Sequence, residues 1–374
     1  MALLIFGFML FRKPPQQPEN AETSKENAST EQTLAIDTIK PDKLALLPDI
    51  IKMSGVKNDD GSYTYTALDN TTLTLSAQGD SVTGQVSAGG IMLNYADVVN
   101  SRYPEAVGDV PVKLSNKAAA HKSLANAIDE AQTYQGFASM LRSSDKTDKP
   151  VRLSNDVISL EISPKGGILS KATLTKKYKT YFPEKADSEK IDTADVVVFS
   201  PKDNWGYNFT LTTAGMSNVN TRDLYFTPKF NADSTEVTMM LTVEDGKYWG
   251  FKYSLPKGDS YLVKMEIVSH DMMGQNGILG NNQQLPFEWN LTMPRQERGR
   301  TFEERNSTIF YKRSGHGPND LGPGSEKKEL NDPLQWIAFK NQFFSAIIVP
   351  QNSFQGATLD QTALKNDPDF VKYS

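Results

Sequence analysis

Residues 155–174 read NDVISLEISPKGGILSKATL. Ile158, Leu160 and Ile162 alternate with Ser159, Glu161 and Ser163, the period-two pattern of a strand with one buried face. Pro164-Lys165-Gly166-Gly167 then supplies a turn whose glycines accept positive φ. Ile168, Ser170, Ala172 and Leu174 return on one face. A hairpin is therefore predicted here, and it sets the tone for everything that follows it.

Downstream, the same grammar repeats. Strands are predicted at Asp195–Phe199, Tyr207–Thr213, Asp223–Phe230, Thr235–Val243, Tyr248–Leu255, Tyr261–Ser269, Phe287–Met293, Thr308–Lys312, Trp336–Phe339 and Ser345–Val349. Turns rich in Gly, Asn, Asp and Pro separate them, the signature of an all-β sandwich or barrel. No fixed period repeats, which disfavours a propeller or solenoid. Upstream, residues 62–94 alternate as a small antiparallel meander, with Asp59-Asp60-Gly61 as a hairpin tip rather than a calcium loop. The spacing of Leu124, Ile128, Ala131, Phe137, Ala138 and Leu141 predicts a helix over Lys117–Leu141, with Ser115 and Asn116 as N-caps. Pro41–Met53 carries a second helix-like cluster, Leu44, Leu47, Ile50 and Ile51. A polar stretch ending at Pro150 marks a domain boundary.

The N-terminus breaks this pattern. Met1 to Phe11 reads MALLIFGFMLF, without a charge, and Arg12, Lys13, Pro14 and Pro15 stop it. A bilayer core needs about 20 apolar residues, so eleven are too few to cross alone. The run reads as the remnant of a signal-anchor, as the apolar region of a signal peptide lacking its charged start, or as a core element. The tract over 14–33 is Pro, Gln, Glu, Asn, Ser, Thr and Lys with almost nothing apolar, and such a tract stays disordered. A plug on a disordered tether favours the membrane anchor.

Composition narrows the function. The 374 residues carry 40 Lys plus Arg against 45 Asp plus Glu, a net charge of −5, which argues against a nucleic-acid binder. Cysteine is absent, which excludes disulfides, Cys-ligated zinc and a lipid-modified cysteine. A mean hydropathy of −0.48 excludes a polytopic membrane protein within this chain. The three histidines, His121, His270 and His316, are scattered, and no metal or cofactor site is expected.

Catalytic motifs are missing too: there is no G-x-x-x-x-G-K-[ST], G-x-S-x-G or H-E-x-x-H. His270 with Glu288, and His316 with Asp320, are the acid–base pairs that the fold could assemble, weighed against ordinary surface histidines. Trp205, Trp249, Trp289 and Trp336 are either core residues or a sugar- or peptide-stacking platform. The five N-x-[ST] matches, at Asn27, Asn70, Asn208, Asn290 and Asn306, carry no weight in a chain this rich in Asn, Ser and Thr. Arg295 to Arg305 reads RQERGRTFEER, a mixed-charge run expected as a solvated loop. Arg295, Arg298, Arg300 and Trp336 are the candidate partner-binding residues.

Three stretches carry a family resemblance as a set. Asn155–Gly167 leads to Tyr178-Lys179-Thr180-Tyr181; Glu297-Arg298-Gly299-Arg300 precedes Thr308–Lys312; and Trp336–Ala346 reads WIAFKNQFFSA. Together they resemble the large extracytoplasmic domain of YidC-type membrane protein insertases (the YidC/Oxa/Alb family), in the form found in Bacteroidetes-like bacteria. The resemblance covers about residues 150–374, and residues 1–20 loosely.

It implies a mainly β, galactose-mutarotase-like β-supersandwich, preceded by a small α+β segment and a short N-terminal membrane-anchor helix. Residues 1–12 would be a truncated transmembrane anchor, 13–40 a disordered linker, 41–149 the α+β insertion, and 150–374 a periplasmic sandwich incomplete at its C-terminal end, with open edges that favour aggregation. It further implies an inner-membrane protein whose exported domain assists membrane-protein insertion, alone or with the Sec translocon and its accessory subunits. Nascent inner-membrane proteins would be clients, and lipid would hold the anchor. No catalytic residue and no cofactor is implied, and nucleic acid is not a partner. A carbohydrate-binding or mutarotase-like supersandwich enzyme is the competing function, resting on fold analogy alone.

Overall fold

The period-two stretches become strands. The computed structural model describes residues 4–6, 50–51, 54–67, 69–78, 81–88, 91–94, 112–137, 149–180, 194–242, 246–274, 277–281, 284–365 and 367–374. Among them, 25 strands fall into six sheets, the mainly β architecture that the alternation predicts.

In the lead hairpin, Ile158–Ile162 pairs antiparallel with Leu169–Thr180, flanked by Val151–Ser154 and Ala194–Phe199. Gly166 and Gly167 take φ of 79° and 65°, as the turn requires. A register shift between Glu161 and Ile162 sets Ile162 opposite Leu169. Leu169 and Ser170 are consequently buried side by side, while Ile168 is only half-buried. The expected one-face alternation holds for Ser170, Ala172 and Leu174, and only Ile168 departs from it, next to the bulge that also buries Leu169.

A second sheet is a meander of Thr227–Phe230, Glu236–Thr242, Tyr248–Ser254 and Val263–His270. Gly206–Thr212 lies between Asn218–Asn220 and Phe287–Asn290. Two further sheets run Thr292–Pro294, Phe370–Tyr373, Ala357–Ala363, Glu326–Leu330, and Pro318–Asp320, Thr308–Arg313, Leu334–Asn341, Phe344–Ile348. Their inward faces share one core, as packed sheets must. At its centre Phe251 meets Phe209 at 5.4 Å, Phe226 at 5.5 Å and Trp249 at 4.8 Å between ring centroids. Each such ring contributes about 2–3 kcal/mol by burial.

A second, smaller core lies upstream. The meander Val56–Lys57, Tyr63–Thr66, Thr72–Gln78, Ser81–Ala88, Ile91–Asn94 presents Tyr65, Leu73, Leu75 and Val86 to Leu124, Ala127, Ile128 and Ala131 of the helix Val112–Tyr134. The helix starts before the predicted Lys117, which places Ser115 and Asn116 inside it rather than at a cap. It stops at Tyr134 because Gln135 takes φ 45°, and a 3-10 turn, Gln135–Phe137, follows. Gly136 there faces Ile278, with room for no side chain: a Cβ would lie 2.3 Å from Ile278 Cδ1. Ala138 and Leu141 lie outside the described residues, as do 13–40 and most of Pro41–Met53, of which Ile50 and Ile51 are helical.

Several boundaries differ from expectation. Phe287–Met293 is not one strand. It divides at Leu291 into two strands that join different sheets. Of Asp223–Phe230, the strand is Thr227–Phe230; Asp223 closes a 3-10 turn over Thr221–Asp223, and Tyr225 makes an isolated bridge with Lys165. Of the N-terminal run, Leu4–Phe6 forms a strand parallel to Val263–Met265 where a helix is expected. Pairing along a free sheet edge satisfies the backbone groups on one side of this segment. The rest of that run lies outside the described residues, and no described helix is long and apolar enough to cross a membrane.

Candidate functional site

The charged run over 295–305 is not a solvated loop. Arg300–Asn306 is a helix, and Glu303 in its first turn is fully buried. The Glu303 carboxyl accepts the backbone N–H groups of Gln296 (2.7 Å) and Glu297 (3.3 Å), tying the approach segment to the helix. Burial pushes its pKa above the usual carboxylate range despite those two donors. Arg295 donates to the carbonyls of Pro368 (2.9 Å), Glu297 and Arg298. Arg300 donates to the carbonyl of Leu364 and lies 3.7 Å from Glu304. Mixed charge here builds an internal clamp on the chain over 364–368.

Of the four expected partner-binding residues, Arg298 alone is exposed. Trp336 is half-buried and sits opposite Lys312. The helix is linked to the far end of the same strand, where Lys340 donates to Asn306 O (3.0 Å). Four residues of strand separate the two, about 13 Å, so Trp336 does not join the arginines. The same neighbourhood exposes two aromatic rings that sequence reading passed over, Phe302 at 61% and Phe343 at 63%. A lone Phe inside a charged run gave no periodic signal.

Beneath the helix lies a buried polar network. Ser307 donates to Asn341 Oδ1 (2.8 Å), and Asn341 donates to Pro294 O (2.5 Å). Gln361 accepts from Thr308 and Ile309 and donates to Gly322 and Gly324. Lys372, fully buried, donates to Ser307 O (2.5 Å) and Pro323 O (2.9 Å). Its desolvation pulls the ammonium pKa down to about 8. Each group finds a partner, as buried polar groups must.

The acid–base pairs do not assemble. His270 is exposed, 3.3 Å from Asp271 and stacked on Tyr248, whereas Glu288 pairs with Arg222. His316 lies in an exposed turn, and the Asp320 carboxylate accepts the Gly322 N–H. The tryptophans form no platform either. Trp249 is core, Trp205 stacks on Phe199 at 3.5 Å, and Trp289 stacks on Phe339 at 3.9 Å.

Trp289 does, however, line a cleft of about 920 Å³ with Phe287, Ile309, Ile337, Phe339 and Phe354. Asp360 and Ser374 lie on its polar side. The buried indole N–H of Trp289 has no acceptor. The volume suits a ligand site; no histidine lines it, and no group of metal ligands is found among the described residues. Its chemistry is that of apolar contact and backbone hydrogen bonding.

The family model described as the YidC periplasmic domain matches residues 150–373. The chain is 35% identical to the membrane protein insertase YidC of Parabacteroides distasonis over 258 residues, 67% of this chain and 38% of that protein. It is 32% identical to its counterpart in Phocaeicola vulgatus over 227 residues, 60% of this chain and 34% of that protein. With the counterpart in Porphyromonas gingivalis the identity is 29% over 249 residues, 66% and 37% of the two chains. The chain thus spans under two fifths of the length of these relatives.

Proposed function

Because the chain belongs to the YidC family through its periplasmic domain, we propose that it is the extracytoplasmic part of an inner-membrane insertase that helps membrane proteins insert and fold. The single observation that carries this reading is the family match, which covers the whole sandwich from residue 150 to residue 373. The domain serves as a binding and scaffolding surface rather than a catalyst. Both histidine pairs stay apart, which removes the reason to prefer a sugar-converting enzyme on the same fold.

The clients are nascent inner-membrane proteins, and Met1–Phe11 holds the domain to the lipid, which requires Leu4–Phe6 to leave the sheet edge beside Val263–Met265. The Sec translocon with its accessory subunits is the partner that the family resemblance implies. Arg298 and the exposed Phe302 are the residues offered to a partner, since Arg295 and Arg300 are half-buried and directed to backbone carbonyls. Site-specific photo-crosslinking tests this. A photoreactive amino acid replacing Phe302 in the full-length protein should attach to a stalled nascent membrane protein or to a translocon subunit. Equal labelling from a probe replacing His270, on a different sheet, would refute the assignment of this surface.

A further inference from the structure

We propose that Gln135–Phe137 is a strained latch: it holds the upstream α+β unit against the sandwich and opens before either core unfolds, so that the unit swings away as a body.

The latch follows directly on the helix Val112–Tyr134. Leu124, Ala127, Ile128 and Ala131 of that helix belong to the small core, whereas Phe137, fully buried, belongs to the main one. Tyr134 packs against both. One turn of chain thus passes from one core to the other. The sandwich receives it on two turns. Residues 213–217 form the first, closed by Thr213 N–H donating to Ser217 O (2.8 Å). It is tied to the second by Ala214 N–H donating to Ile278 O (2.7 Å) and Gly280 N–H donating to Thr212 O (3.0 Å). Gln135 lies over Gly215, where a Cβ would sit 2.0 Å from Gln135 Nε2, and Gly136 lies over Ile278. Each close approach leaves no room for a side chain on the glycine. Among the described residues no strand of the upstream meander pairs with a strand of the sandwich, so opening the latch breaks no sheet.

Two features oppose closure. Gln135 takes φ 45°, in the left-handed region, which is unfavourable for a residue with a Cβ. Its side-chain Oε1 is buried without a hydrogen-bond partner, so it has lost water and gained nothing in return. Both penalties vanish when the turn lifts into solvent. Phe137 in the main core and the bond from Ser217 Oγ to Gln132 O (3.2 Å) hold the latch closed against them. A contact that carries two penalties opens at lower free energy than a core whose buried side chains all pack favourably.

The 374-residue chain has no cysteine, so a single introduced thiol reports alone. Ile278→Cys places one beneath Gly136, Ala172→Cys one in the main core and Ala127→Cys one in the small core. Each is labelled with a chromogenic disulfide reagent under native conditions. The thiol at position 278 should react at least about tenfold faster than the other two. Adding Gln135→Gly, which accepts the positive φ and removes the orphaned carbonyl, should slow the reaction at 278 about fivefold. That comparison is made within one background, so any loosening by the probe itself cancels. Gln135→Gly alone should also raise the thermal midpoint of the cysteine-free chain, an arm that needs no probe. A thiol at 278 that reacts no faster than those at 172 and 127, a reaction at 278 that Gln135→Gly does not slow, or an unchanged or lowered midpoint would overturn the proposal.

Discussion

Tyr207 and Tyr253 meet hydroxyl to hydroxyl at 2.6 Å in the middle of the sandwich. Leu169 N–H donates to the Tyr207 oxygen (3.0 Å) and Tyr253 donates to Gly167 O (2.8 Å), so the proton order runs from Leu169 through Tyr207 and Tyr253 to Gly167. Three sheets are joined by this chain, which clamps the glycine turn between its ends. Burial pushes both phenols above the usual tyrosine range.

Tyr207→Phe therefore leaves the buried Leu169 N–H without an acceptor. A loss of about 1–3 kcal/mol is expected in urea unfolding. Tyr253→Phe should cost a similar amount, and the double variant less than the sum, because the two share one bond. Additive losses would show that the hydroxyls act independently.

Gly166 and Gly167 both have positive φ, but their surroundings differ. A Cβ on Gly167 would lie 2.8 Å from the Phe226 ring, whereas one on Gly166 would meet nothing nearer than 3.5 Å. Gly166→Ala should cost about 1 kcal/mol from backbone conformation alone. Gly167→Ala should cost about 2–4 kcal/mol, since it adds a clash in the core. Thermal unfolding of the pair separates the two terms.

Lys372 makes stability depend on alkaline pH. Its folded pKa of about 8 lies below the unfolded value of about 10.4. Between these values the unfolded chain binds the proton and the folded chain does not, so stability rises with pH through that window. Lys372→Met removes the group. The stability difference between wild type and variant should shift in favour of wild type from about pH 8 to about pH 10, as read by urea unfolding at each pH. A difference that stays flat would contradict the buried ammonium.

The arginines separate by role. Arg300→Ala strips a donor from the Leu364 carbonyl and should cost about 1–2 kcal/mol. Arg298→Ala touches an exposed side chain and should change stability by less than about 0.5 kcal/mol. Only Arg298→Ala should therefore weaken a partner contact without weakening the fold.

Much of the architecture was legible because period-two stretches such as Ile158–Ile162 and Tyr248–Ser254 bury one face. The Pro164–Gly167 turn was legible because its glycines must take positive φ. Glu326–Leu330 was not, because its outward charges, Glu326, Lys327 and Glu329, give an edge strand the look of a loop. Glu303 and Lys372 were hidden for a related reason. Charged residues read as solvated until distant backbone groups are brought to them, and no local pattern encodes Gln296 N–H or Pro323 O. The division at Leu291 is likewise set by which strands lie alongside, a property of the tertiary structure. Of the candidate surface residues only Arg298 is exposed; Trp336 is half-buried, and Arg295 and Arg300 serve the fold.

The central claim, that this is the exported domain of a membrane protein insertase, is tested most directly by depletion. The full-length protein is placed under titratable expression in its own bacterium, and a newly made inner-membrane reporter is followed by protease accessibility. Insertion of the reporter should fall as the protein is depleted and return when the full-length protein is resupplied. Insertion that continues unchanged at tenfold depletion (about 10% of the normal level) would contradict the claim.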